Sequence, residues 1–151
     1  MSVQLHWATT PGALGEAEAT RIVDAALEHG GRAGIDIEVV IVDDAKLTEL
    51  HGRFLDDATP TDVISFDLGE EGEGPAAELY VSIDCARRVA AERGVSEERE
   101  LALYLVHGTL HLCGHDDHAD DDRARMRAAE RDVLRALGYE DDTSPHDRDA
   151  V

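Results

Sequence analysis

The stretch LALYLVHGTLHL, residues 101–112, is apolar on nearly every side of a helix. A helix of that kind has no face to give to water and must be enclosed by other elements. Ser96 offers an N-cap hydroxyl before it, and Glu97 and Glu98 suit its positive end. Gly114 ends it in the manner of a C′ glycine. A chain that must wrap this helix needs a sheet or further helices on every side of it.

The remaining segments supply them. IDIEVVIVDD, at 35–44, is β-branched and apolar on both faces, which predicts a central strand. VISFDL at 63–68 and AELYVSID at 77–84 read as two more strands, joined as a hairpin through the glycine-rich loop GEEGEGP. QLHWAT at 4–9 is a short first strand. In ALGEAEATRIVDAALEHG, residues Leu14, Ile22, Val23, Ala26 and Leu27 recur at helical spacing until Gly30-Gly31 stops them. DDAKLTELHGRFL at 43–55 is a helix with Asp43 or Asp44 as N-cap, CARRVAAERG at 85–94 is a short one, and a last helix runs over about 119–137. The order β-α-β-α-β-β-α-α-α gives an α+β fold, a small mixed sheet of about four strands packed by helices. One domain is expected over 1–138, and 139–151 is expected to be a disordered acidic tail.

Composition narrows the setting. The formal net charge of −20 argues against simple electrostatic adhesion to nucleic acid or anionic lipid. Arg87, Arg88, Arg123, Arg125, Arg127, Arg131 and Arg135 are the main cationic supply; most are expected to pair with neighbouring acids. No stretch approaches the roughly 18–20 apolar residues of a membrane span, and no basic-then-apolar leader is read at the start, so a cytoplasmic location is expected. Cys85 and Cys113 form no disulfide framework. Oligomeric state leaves no mark in the sequence.

The chemistry concentrates in HGTLHLCGHDDH, residues 107–118. His107 and His111, four apart, project from one helix face and can hold one divalent ion. A hydrogen-bonded pair of core histidines is the plainer alternative; the following Gly and HDDH favour metal. Gly114 lets the chain reverse, so His115, Asp116, Asp117 or His118 could complete the set. The H-x-x-x-H-x-x-G pattern is shared with zinc peptidases of the metzincin kind, but these carry a general-base Glu where Gly108 stands. Cys113 reads as a small buried hydrophobe. His6, His29 and His146 are isolated, and Asp120, Asp121 and Asp122 suit the solvated start of the last helix.

HGTLHLCGHDDH resembles the H-G-x-L-H-L-x-G-[YH]-D-H signature of the YbeY family of rRNA maturation factors. TDVISFDL at 61–68 is similar to that family's T-[ND]-V-L-S-F segment, AELYVSIDCARRVA to its G-[DE]-I-x-I-S segment and following helix, and MRAAERDVLRALGY to its closing helix. The resemblance covers roughly residues 5–140, in order. It implies a zinc-dependent endoribonuclease selective for single strands. The implied work is 3′-end maturation of small-subunit (16S) rRNA and ribosome quality control, with rRNA and the small ribosomal subunit as partners. One zinc per chain is implied, bound by His107, His111 and a third ligand. The family's third ligand is a histidine six residues after the second, a place held here by Asp117; His118 takes the role only if one residue is inserted. The zinc would then carry a water in its open fourth position. The family's N-x-x-[YF]-R arginine is replaced by Leu55, with His51 at the asparagine, and Arg53 lies about 200° from residue 55 around a helix. Two other readings follow from these departures: a non-catalytic ribosome-assembly factor with a structural zinc, favoured by Leu55, and a metal-dependent hydrolase of another substrate, disfavoured by Gly108.

Overall fold

The fold is taken from a computed structural model, which describes residues 3–12, 14–55, 62–69, 71–115 and 119–139. Among these, strands β1 (Val3–Trp7), β2 (Ile37–Val42), β3 (Val63–Asp67) and β4 (Ala77–Ser82) form one mixed sheet in the order β1-β2-β4-β3. Helices α1 (Glu16–Gly30), α2 (Asp44–Leu55), α3 (Ile83–Arg93), α4 (Glu97–Leu112) and α5 (Asp120–Leu137) complete the expected α+β order in a single domain. β2 runs parallel to both β1 and β4, so the doubly apolar strand is interior as its composition requires. β3 pairs antiparallel with β4 as the expected hairpin, Val63 facing Val81 and Asp67 facing Ala77. No helix among the described residues is long and apolar enough to cross a membrane.

Alternation along the strands sorts side chains between two clusters. Val3, Ile37, Val39, Ile41, Ala77, Leu79 and Val81 join the main core, built with residues of α1, α3, α4 and α5. Val42 and Ile64 face the other way and meet Leu47 and Leu50 of α2, with Val40, Phe66 and Tyr80 half-buried around them. α4 therefore lies between the sheet and helices α1, α3 and α5, and its residues from Arg99 to Leu110 are buried.

Several boundaries differ from the sequence reading, β2 being trimmed to Ile37–Val42 and β3 to Val63–Asp67 among them. α1 begins at Glu16, after the extended Gly15; Leu14 is buried from the preceding loop, where its carbonyl accepts the Trp7 indole N–H at 3.3 Å. β1 stops at Trp7, and the chain bends over residues 8–10. The strand expected to reach residue 84 ends at Ser82, whose Oγ accepts the Cys85 N–H at 3.0 Å and starts α3 at Ile83. A capping hydroxyl outcompetes continued strand alternation there. At α2 the choice of cap resolves to Asp43, whose carboxylate accepts the Lys46 N–H at 2.8 Å.

Candidate metal centre

The centre is built on the C-terminal half of α4. Ser96 caps the helix start, its Oγ accepting the Arg99 N–H at 3.1 Å. At the other end Gly114 adopts φ +96°, the Gly114 N–H binds the His111 carbonyl at 3.1 Å, and the His115 N–H binds the Leu110 carbonyl at 3.1 Å. This paired closure is a Schellman motif, and the left-handed residue in it is the expected glycine. Arg32 ties this end to the sheet: Nη1 donates to the Leu112 carbonyl and to Asp67 Oδ2, both at 2.8 Å. The Arg32 guanidinium also holds the Asp67 carboxyl below the usual carboxylate range.

His107 and His111 lie one turn apart, His107 buried and His111 half-buried. Their Nε2 atoms stand 3.1 Å apart, with ring centroids 4.6 Å apart and planes at 83°. Two nitrogens bound to one tetrahedral zinc at their usual bond lengths sit roughly 3.3–3.4 Å apart, so small rotations of the rings would admit the ion. The other ring nitrogen of His107, Nδ1, meets Oε2 of Glu130 on α5. A carboxylate can only accept, so Nδ1 carries the proton, and a neutral His107 presents its Nε2 lone pair toward His111. The donor set fits zinc: imidazole nitrogens, one of them held by a buried carboxylate. Asp117 and its alternative His118, with Asp116, lie outside the described residues. Among the described residues no cluster of three ligand-type side chains forms.

Gly108 faces the sheet. A Cβ there would come within 3.0 Å of both Ser65 Oγ and Val63 Cγ2 and within 3.1 Å of Leu79 Cδ2. Ser65 Oγ also donates to the Gly108 carbonyl at 2.9 Å. The position next to the first histidine thus has no room for the glutamate of a zinc peptidase. Cys113 packs half-buried against the main core, close enough to Gly30 to forbid a Cβ there, and burial pushes its thiol up. A cleft of about 340 Å³ opens just beyond α4, lined by Cys113, Gly114, His115, Asp122 and Arg125.

Of the cationic residues singled out, Arg87 pairs with Glu97, Arg88 with Asp44, Arg123 with Asp120 and Arg125 with Asp122. Asp120 to Asp122 do begin α5. His6 pairs with Glu38, and His29 lies 4.0 Å from Asp132; His146 lies outside the described residues. Arg53 is exposed on α2; Leu55 ends that helix, and its side chain lies outside the described part. Glu130 went unread in the sequence, although an acid amid the buried positions Met126, Ala129, Val133, Leu134 and Leu137 is itself a signal of a paired, buried carboxylate.

Comparison with known proteins gives a consistent result. The family model described as Endoribonuclease YbeY matches residues 10–138. The chain is 37% identical to Endoribonuclease YbeY of Symbiobacterium thermophilum over 130 residues, 78% of this chain and 83% of that protein. It is 36% identical to the protein of that name from Rhodopirellula baltica, covering 89% of this chain and 75% of the relative. With that of Azorhizobium caulinodans it shares 34% identity, over 89% and 88% of the two chains. The fold is similar to the solution structure of TM1509 from Thermotoga maritima, with a TM-score of 0.55 at 20% identity, covering 95% of this chain and 99% of that one.

Proposed function

The chain belongs to the Endoribonuclease YbeY family, and on that premise we propose that it is a metal-dependent endoribonuclease acting on single-stranded rRNA. In this reading it works in the cytoplasm with the small ribosomal subunit, in 3′-end maturation of 16S rRNA and in ribosome quality control. The observation that carries the metal part is the facing pair of Nε2 atoms of His107 and His111, 3.1 Å apart on an enclosed helix. These two histidines would hold one zinc, with Asp117 as third ligand and His118 as its alternative. A zinc bound there supplies Lewis acidity toward a phosphoryl oxygen and toward the attacking oxygen.

The chain's own residues contribute position and restraint. His107 is kept from rotating by Glu130, and Ser65 holds the turn between the two ligands against β3. The tight packing at Gly108 removes a peptidase-type base and disfavours the reading as a protease. Local arginines, rather than the acidic net charge, would meet the RNA backbone.

The test is cleavage of an unstructured RNA by zinc-loaded wild type beside His111→Ala. Cleavage that the variant loses supports the reading; equal cleavage by both means a contaminant. No cleavage by either, across salt and metal conditions, would favour an assembly factor with a structural zinc, the reading that Leu55 supports. Leu55→Arg separates the two further. Restoring an arginine where the family carries one is expected to raise the rate, by up to roughly 100-fold if it meets charge developing on phosphate. An inert Leu55→Arg variant would count against that role for position 55.

A further inference from the structure

The geometry points to Glu130 as the positioning residue of the metal centre, the group that fixes which nitrogen of His107 faces the ion. This rests on His107 and His111 being metal ligands. Glu130 is 3% exposed and sits 23 residues from His107, on the face of α5 that packs against α4. A carboxylate so deeply buried costs several kcal/mol unless its charge is answered. Its partner is a ring nitrogen, Nδ1 of His107, on the side of the imidazole opposite the one that faces His111. The contact does two things. It keeps the proton on Nδ1, so that Nε2 is a lone pair, and it stops the ring turning about its Cβ–Cγ bond. Hydrogen-bonding a ligand imidazole through its far nitrogen also makes it a stronger donor to a cation. The cleft beyond Gly114 and the buried Arg93–Glu100 pair show no comparable aim at a ligand atom.

The test measures two quantities on the full chain as wild type, Glu130→Gln and Glu130→Met. Zinc affinity is read by chelator competition. The protonated ring nitrogen of His107 is read in the metal-free protein by long-range proton–nitrogen NMR. Wild type should carry the proton on Nδ1. Glu130→Gln keeps an acceptor oxygen, so the proton should stay and affinity should fall less than about tenfold. Glu130→Met removes the acceptor, so the proton should redistribute toward Nε2 and affinity should fall roughly 10–100-fold. A purely structural Glu130 would lower thermal stability and move neither quantity. Should Glu130→Met fail to fold, Glu130→Gln decides: a retained Nδ1 proton with reduced affinity supports the role, and unchanged affinity overturns it. A folded Glu130→Met that binds zinc within twofold of wild type, or a wild-type His107 protonated on Nε2, also overturns it. Wild type that binds no zinc while holding its Nδ1 proton overturns the metal reading itself, and is told apart from the other failures by that proton.

Discussion

Replacing Gly108 by alanine sets two effects of known sign against each other. An alanine in the middle of a helix is favoured over glycine by about 1 kcal/mol. Against this stand three close approaches to the new Cβ: Ser65 Oγ and Val63 Cγ2 at 3.0 Å and Leu79 Cδ2 at 3.1 Å. Carbon contacts are comfortable at about 3.5–4.0 Å, so each neighbour must retreat by several tenths of an ångström. Two of the three are held in place. Ser65 is held by its 2.9 Å hydrogen bond to the Gly108 carbonyl, and Leu79 is fully buried in the centre of the sheet. Overpacking of this kind costs about 1–3 kcal/mol. The net is a loss of about 0–2 kcal/mol, or a fall in Tm of up to roughly 8 °C for a chain of this size. Thermal and urea unfolding followed by circular dichroism measure it. Val63→Ala removes one obstructing methyl, so the double variant should be more stable than the sum of the two singles by at least about 0.5 kcal/mol. Gly108→Ala that is more stable than wild type by the bare helix gain would refute the claim that the sheet confines this position.

Asp117→Ala should weaken zinc binding far more than His118→Ala, and Asp117→His should be tolerated; the opposite ranking in a chelator titration would move the third ligand to His118. Glu100, fully buried, binds Arg93 at 3.1 Å with Arg99 at 3.9 Å, so Glu100→Ala leaves two enclosed cations without it and should cost about 3–5 kcal/mol. A Tm within 2 °C of wild type, instead of roughly 6–20 °C lower, would contradict that account. Burial raises all three tyrosines: Tyr80, Tyr104 far up, and Tyr139 to about 12 with help from its hydrogen bond to Glu18. The folded chain therefore holds these protons above the unfolded value of about 10, and stability should fall as pH rises from about 10 through 12. Phenolate absorbance that rises with a midpoint near 10 while the helical signal is intact would show the reasoning to be wrong.

The elements were legible where one local signal governs them. Ser96, Gly114 and the doubly apolar 35–44 segment each carry their own instruction, and α4, its closing turn and the interior strand follow from them. At Ser82 two local signals compete. Alternation continues through YVSID, but the hydroxyl is placed to cap, and the strand ends two residues early. The histidine pair was readable from spacing, yet its supporting shell was not. α5 carries so many charges that it reads as a solvated helix, and the acid that turns inward is identified only by its neighbours' apolar spacing. Why residue 108 is glycine is equally hidden, because the atoms that forbid a side chain belong to β3 and β4.

The enclosure of α4 has a kinetic meaning. Local openings that expose amide hydrogens start at frayed ends and half-wet elements, and cost far less than global unfolding. α4 is covered along nearly its whole length by the sheet and by α1, α3 and α5, so it has no small opening motion available. Its amides should exchange with solvent only when the whole domain opens, an excursion of about 5–15 kcal/mol for a typical domain. His107 and His111 ride on that slowest element. The backbone that carries both side chains therefore keeps its geometry for the lifetime of the native state.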